Sequence, residues 1–529
     1  MHRALRNELE TFLAQARERD RCVPRFVERE LRAYLECGLP SYGFVRVRCS
    51  ACGHERLVAF SCKGRGFCPS CGGRRMAETA AHLVDRVLPE VPVRQWVLSL
   101  PFELRYRLAY DRELSSAALG VFLRAVFAGL RRRAGIRACK RERRLQCGAV
   151  SFVQRFGDAL NLNLHFHSLV LDGVYRVDPR TGEVSFVPLP APDDAEVARI
   201  AYRVASGLRR LFVRRGLLDA ELGEADPLSH NEPLLAEIAS ASIQGRSATG
   251  PRAGRRLQRW GDRVDLEALE SGSSRLCAQV AGLSLHAGVA VPARDRARLE
   301  RLCRYVARPP LATGRLSELP DGRLCYRLRH RWRDGTTHVL FQPLELIERL
   351  AALIPPPRAH QVRYHGVLAP CAAYRDAVVP TPGPTPRPRS HGNPTSSSSR
   401  MAPPTSSLET SERDAPARIP AATSGDRLHA GSSSAPATHS PGSAARDPAG
   451  LESSPRARRL SWAELMRRVF ARDVLACPRC NGRMRVLAAI EAPSVVEAIL
   501  GCLGLPARPP PLSPARPLEA PELEFADPA

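Results

Sequence analysis

Two histidines flanking one phenylalanine, His165-Phe166-His167, and a lone tyrosine among arginines, Tyr305, are the side chains in this chain best suited to metal-assisted chemistry on a phosphate. The histidines sit in Gly148 to Tyr175, which reads as a β-hairpin. Val150 to Phe156 is rich in β-branched and aromatic residues, Gly157-Asp158 is a turn signal, and Leu160 to Leu171 alternates apolar with polar residues. Side chains two apart share a strand face, so Asn161, Asn163, His165 and His167 line one polar face. Leu160, Leu162, Leu164, Phe166 and Ser168 point the other way. Two adjacent imidazoles flanked by amides can chelate one cation, although neutral imidazole is also an ordinary core residue. Gln154 on the preceding strand either offers a third ligand from across the hairpin or faces solvent.

Tyr305 belongs to Pro292 to Pro310, a helix with Leu299, Leu302, Cys303 and Val306 inward and Pro309-Pro310 closing it. It lies beside the apolar stripe, with Arg301, Arg304 and Arg308 as neighbours. A phenol ordinarily titrates at about pH 10, so it becomes a nucleophile only where cations stabilise the phenolate and a metal polarises the phosphate under attack. The same pattern also suits an amphipathic tyrosine at the rim of a core.

The third chemical signal is cysteine spacing. Cys49-Ser50-Ala51-Cys52 and Cys68-Pro69-Ser70-Cys71 are the paired C-x2-C turns of a zinc ribbon, and the four thiolates are expected to hold one tetrahedral Zn2+. His54 and Cys62, inside the loop, could each substitute for one ligand, but the two pairs suffice. Lys63 and Arg65 between the pairs, with Phe67, and Arg74 and Arg75 after them, suit a phosphate-tracking DNA contact or a solvated basic loop. A further pair, Cys477-Pro478-Arg479-Cys480, has only Cys502 near it in sequence. It reads as a zinc half-site completed by another chain, or as two free thiols in a turn.

The elements that must carry these groups follow from periodicity. Residues 1 to about 45 give two helices, with Leu5, Leu9, Phe12 and Leu13, then Phe26, Leu31, Tyr34 and Leu35, as apolar faces. Val93 to Leu100 is a buried-looking strand stopped by Pro101, and Leu114 to Leu130 and Ala195 to Val213 are helices. Leu324 to His330 and Thr336 to Phe341 pair around Asp334-Gly335, and Glu345 to Leu353 is a helix. The order of elements gives an α+β class, a sheet covered by helices. From about Val379 to Arg456 the chain is Pro, Ser, Thr, Ala and Gly with almost no large apolar residue, the composition of a disordered linker. Ser461 to Glu464 is a capping box opening a last helix, and the Pro-rich tail after Leu505 reads as disordered. The expected units are therefore 1–90, 91–375, 376–456, 457–505 and 506–529.

At 529 residues with a net charge of +25, the protein is expected to meet a polyanion, most simply nucleic acid. Sixteen cysteines suit reduced, partly metal-bound thiols in a cytoplasmic protein. No apolar run reaches membrane-spanning length, and Met1 to Arg21 reads as a charged amphipathic helix rather than a signal peptide, so no membrane partner is expected. The chain has no GxxxxGK[ST] phosphate loop.

The strings LVAFSCKGRGFCPSCGGRRMAETAAHLVD, VPVRQWVLSLPFELRY, LNLNLHFHSLVLDGVY, LCRYVARPPLA, WRDGTTHVLFQPLELIERLAALIP and RYHGVLAP together resemble the rolling-circle transposases of the insertion sequence 91 family. The likeness covers roughly residues 20 to 370 and resumes near Ser461. It implies a zinc-binding DNA module followed by a nuclease of the HUH type (His, hydrophobic, His) built on an antiparallel sheet. By this resemblance Mg2+ or Mn2+ on His165, His167 and a third polar group such as Gln154 polarises a phosphate of single-stranded DNA at an element end. Tyr305 then forms a 5′-phosphotyrosine link, a bacterial, nucleoid-associated activity with a homo-oligomer left open. Better-known members carry a second tyrosine four residues on, where this chain has Pro309. It therefore resembles the single-tyrosine branch found with common-region elements. Either Tyr305 serves both strand transfers, or Tyr326 or Tyr364 assists. Two other classes fit parts of the pattern. A zinc-dependent DNA-binding regulator would leave His165, His167 and Tyr305 as packing residues, and a small-molecule hydrolase or oxidoreductase is disfavoured by the charge.

Overall fold

The alternation read along the histidine strand places it at the centre of a six-stranded antiparallel sheet. In this computed structural model, which describes residues 1–135, 145–217, 227–261, 275–380 and 460–516, the strand runs Leu162–Leu171. Val93–Ser99 lies on one side of it and Gly148–Phe156 on the other. Leu283–Val291 and then Cys277–Val280 extend the first side, and Val362–Gly366 forms the edge of the second. His165 pairs with Ser99 and Gln154, and His167 with Val97 and Phe152.

Period two then sorts the core. Leu162, Leu164, Phe166 and Val170 pack with Trp96 and Leu98 beneath helices Arg105–Tyr110, Arg112–Arg133 and Pro233–Gln244. Fully burying a side chain such as Phe166 contributes about 1.5–3 kcal/mol. On the opposite face Leu169, Leu171, Val150 and Phe152 pack beneath helices Pro69–Arg86 and Arg296–Val306, which also pack on each other. His165 and His167 belong to this second face, toward the helix that carries Tyr305.

A buried ion pair ties the sheet together at the far end of the histidine strand. Arg94 donates through Nε and Nη2 to Asp172 Oδ2 (2.9 and 2.7 Å) and through Nη1 to the carbonyl of Ala287 (3.0 Å). Three chain segments meet on one guanidinium. Removing one partner of such a pair costs about 3–5 kcal/mol because the other charge is left buried.

Helix His2–Glu18 packs on Pro343–Leu353, with Leu5, Leu9 and Phe12 in the same core as Phe166. The described part of the tail, expected to be disordered from 506, runs to Arg516. It lies along the first helix, where Ser513 N donates to the Arg6 carbonyl (3.1 Å) and Arg516 N to Thr11 Oγ1 (3.2 Å). The expected linker lies, from residue 381 to 459, outside the described residues. Helix Arg112–Arg133 is long and apolar enough to cross a membrane by length and composition, but 56% of its most apolar window is buried in the protein, packed on Asp194–Arg214.

Candidate active site and metal centres

His165 and His167 stand side by side with ring centroids 4.8 Å apart. The His165 Nδ1 lies 2.9 Å from the carbonyl of Asn163, which fixes the proton on that nitrogen and leaves Nε2 with its lone pair. The side-chain amide of Gln95, two residues along the neighbouring strand from Val97, lies 2.7 Å from His167 Nδ1; with its oxygen turned to accept from Nδ1–H, it leaves the lone pair on Nε2. His167 Nε2 is buried without a partner. Gln154 donates from Nε2 to the carbonyl of Val306 at the end of the tyrosine helix (2.7 Å), and its Oε1 is likewise buried and unpartnered, as is Asn163 Oδ1.

Unpartnered buried acceptors are uncommon and call for a ligand. An imidazole nitrogen and amide oxygens stranded on the same face of adjacent strands form a neutral N/O donor set. That set fits a divalent ion such as Mn2+ or Mg2+ which keeps open positions for phosphate oxygens. Burial holds His165 down at about 4 and His167 well below the usual imidazole value, with the Arg308 charge adding to both, so both rings are neutral and able to ligate at neutral pH.

Tyr305 comes to this site from the last turn of Arg296–Val306, its ring edge-on to His167 with centroids 6.0 Å apart. Two guanidiniums cover the phenol ring. Arg308 lies 4.4 Å from its centroid and also packs over Phe156, and Arg329 lies 4.9 Å away. Arg329 is held by the hairpin turn, because the Asp158 carboxylate accepts from Arg329 N (3.0 Å) and from Arg315 Nη2 (3.0 Å). The sequence drew attention to Arg308. It gave no signal for Arg329, read Asp158 only as part of a turn, and offered for Gln95 only a polar residue among apolar ones in Val93 to Leu100; the three reach the site from three other segments.

The other cations expected at DNA are placed variously. Arg65 donates to the carbonyl of Ala359 (2.6 Å), and Arg75 to those of Gly64 and Lys63 (3.1 and 3.2 Å). These two line a cleft with Gln154, Phe156 and Arg308 between the cysteine module and the sheet. Arg74 faces Trp462, 5.5 Å from its ring. Arg301 is exposed and Arg304 half-buried on the tyrosine helix. Of the other tyrosines, Tyr326 is 1% exposed and packs on Phe341, while Tyr364 lies on the edge strand under Arg375.

The four cysteines expected to share one zinc, Cys49, Cys52, Cys68 and Cys71, fall in two separate groups, each of which could hold a metal. Cys68 and Cys71, at the start of Pro69–Arg86, meet Cys37 and Cys62, and Cys49 and Cys52 meet Cys477 and Cys480. In the first group Cys37 lies 3.7 Å from Cys68 and Cys62 lies 3.4 Å from Cys71, close to the roughly 3.8 Å edge of a tetrahedron with 2.3 Å Zn–S bonds. The two pairs diverge because Phe67, fully buried, draws Cys68 toward Tyr34 and the end of helix Arg25–Glu36, whereas Cys49 ends a strand pointing away. Cys62 is thus a ligand candidate, while His54 and Cys502 stand outside both groups.

A cysteine-rich module set against an antiparallel sheet, with paired histidines facing a tyrosine helix, defines the class: a transposase with a zinc-binding domain. Residues 5–100 match the family described as "Transposase zinc-binding domain" and residues 148–375 the family described as "Putative transposase". The chain belongs to the insertion sequence 91-like transposases. No curated protein and no solved structure matches it.

Proposed function

We propose that this transposase cuts and rejoins single-stranded DNA at the ends of its element through a covalent link to Tyr305, as in rolling-circle transposition. The observation that carries the reading is the convergence of His165, His167 and Tyr305 on one sheet face, with Arg308 and Arg329 over the phenol ring. A divalent cation held by His165, His167 and Gln154 would withdraw electron density from the scissile phosphate. Gln95 keeps the His167 ring in the orientation that exposes Nε2.

Arg308 and Arg329 stabilise negative charge on the Tyr305 oxygen as it attacks phosphorus. The bond from phosphorus to the 3′ oxygen breaks as the new one forms, the proton lost by the phenol passes through solvent to that leaving oxygen, and a 5′-phosphotyrosine remains. Attack on that link by the 3′-OH of another strand reverses the step and regenerates the phenol, so no nucleotide hydrolysis is needed. The cleft lined by Arg65, Arg75 and Arg308 supplies a cationic path for the strand between the zinc module and the histidines. One tyrosine performs both transfers in this reading, because Tyr326 is buried and Pro309 occupies the second position. As a DNA-processing transposase the protein would work in the cytoplasm, on the chromosome.

Purified protein incubated with labelled single-stranded element ends and Mn2+ should give a covalent adduct on a denaturing gel. Tyr305→Phe and His165→Ala/His167→Ala should both abolish it. An adduct that survives in Tyr305→Phe assigns the nucleophile elsewhere; binding without any adduct would favour a DNA-binding regulator.

A further inference from the structure

The second cysteine group is assembled from segments 425 residues apart, at Cys52 and Cys477, and nothing in the match over residues 5–100 accounts for its C-terminal half. Its geometry is that of two equivalent turns. Cys49 N donates to the His54 carbonyl (2.8 Å) and Gly53 N to the Cys49 carbonyl (3.1 Å). Cys477 N donates to the Gly482 carbonyl (2.8 Å) and Asn481 N to the Cys477 carbonyl (2.8 Å), the same offsets in the second turn. The residue four after the first cysteine is left-handed in both, Gly53 at φ 70° and Asn481 at φ 57°, and Gly and Asn are the residues that tolerate this region best. Gly482 also has no room for a side chain: a Cβ there would lie 3.1 Å from Cys49 Sγ and 3.2 Å from Cys480 Sγ.

The sulfurs are arranged for a metal. Cys49 and Cys480 lie 3.5 Å apart and Cys52 and Cys477 3.6 Å apart, and all four fall within 4.8 Å of one another. These spacings are too long for a disulfide, about 2.05 Å, and suit a tetrahedral tetrathiolate. Strand Met484–Ile490 then pairs antiparallel with Phe44–Cys49, completing a three-stranded sheet with Glu55–Ala59.

We propose that Cys49, Cys52, Cys477 and Cys480 bind a second Zn2+, so that one zinc ribbon is built half from the N-terminal module and half from the C-terminal unit. This centre holds helix Trp462–Phe470 where it braces the active site from outside. Arg468 on that helix donates to Asp85 on helix Pro69–Arg86 (2.9 Å) and to Glu300 on the tyrosine helix (2.9 and 2.8 Å). Such a partly exposed bridge is weak by itself. Tethering makes it effective, because a docked unit presents Arg468 at high local concentration. The apolar contacts that accompany it are small, chiefly Val45, Val47 and Met484 in one cluster and Phe44, Val496 and Leu500 in another. Beside the strand pairing of Met484–Ile490 and the tail's bonds along the first helix, the metal is in this proposal the decisive tie.

The first test uses the wild-type chain. Cys52 and Cys480 are exposed, like Cys22, Cys371 and Cys502. In the native zinc-loaded protein, N-ethylmaleimide should label the latter three and spare Cys49, Cys52, Cys477 and Cys480 until a chelator is added. Labelling of Cys52 and Cys480 at the rate of Cys502 would overturn the proposal. Metal analysis should give two zinc ions per chain, falling to one in Cys477→Ser/Cys480→Ser and staying at two in Cys502→Ser. With a site-specific protease sequence inserted near residue 420, the C-terminal fragment should co-elute with the rest of the cleaved wild type and separate from the cleaved double variant. Two zinc ions retained by the double variant, or co-elution unaffected by it, would equally overturn it.

Discussion

Gly72 and Pro309 touch so closely that a Cβ on Gly72 would lie 2.6 Å from the Pro309 Cβ. One residue follows Cys71 of the first cysteine group and the other occupies the position four beyond Tyr305, so that group and the tyrosine helix meet at this contact. Gly72→Ala should lower stability by about 1 kcal/mol, because overpacking against a rigid ring costs about 1–3 kcal/mol and outweighs the roughly 1 kcal/mol gained from helix propensity. Denaturant unfolding measures it; a stabilised variant would mean the contact is slack. By the same contact, Pro309→Tyr should not create a second DNA-linked tyrosine, which peptide mapping of the adduct would reveal.

The two guanidiniums over Tyr305 should matter to rate rather than to DNA binding. Arg308→Ala and Arg329→Ala are each expected to slow adduct formation on the order of 10²-fold, the scale of removing one preorganised donor to developing negative charge. Arg308→Lys should recover part of the rate. Equal losses in strand affinity and in rate would instead make these residues ordinary phosphate contacts.

Gln95 and Gln154 should set metal affinity. Gln95→Ala frees the His167 ring and is expected to weaken Mn2+ binding about 10–100-fold, the usual effect of removing a partner that orients a ligand. Gln154→Ala should weaken it by at least as much if its Oε1 ligates the ion. Titration calorimetry on the zinc-loaded protein separates the two, and unchanged Mn2+ affinity in Gln154→Ala would remove Gln154 from the ligand set.

Acid should unfold the site in a defined window. Because burial holds His165 at about 4 and His167 well below 6.5, the unfolded chain binds more protons than the folded one at intermediate pH. The stability these neutral rings permit is complete above the unfolded value of about 6.5 and is lost as pH falls toward 4. Melting temperature without added divalent cation should therefore drop between pH 6.5 and 4, and less steeply in His165→Gln/His167→Gln. Equal slopes would place the acid sensitivity elsewhere.

Cys62 should prove indispensable and Cys502 replaceable. Structural zinc contributes about 10–16 kcal/mol to folding of small zinc modules, so Cys62→Ser should lose one zinc and leave residues 37–75 open to proteolysis. Cys502→Ser should match the wild type in both zinc content and protease resistance.

Much of this was legible in the sequence because it depends on near neighbours. Alternation from Leu160 through His167 put both histidines on one strand face, and helical spacing left Tyr305 beside an apolar stripe. The C-x2-C pairs at Cys49/Cys52 and Cys68/Cys71 pointed to metal, while Cys477/Cys480 was left open between a zinc half-site and two free thiols. What local pattern cannot convey is which pairs share an ion, since a tetrahedral site takes whatever thiolates the fold brings within reach. Here Cys68 and Cys71 took Cys37 and Cys62, and Cys49 and Cys52 took two cysteines from beyond residue 459. The roles of Gln95, Asp158 and Arg329 at the site were invisible for the same reason: each acts through a neighbouring strand or loop, and such contacts exist only once the sheet has closed around the histidines.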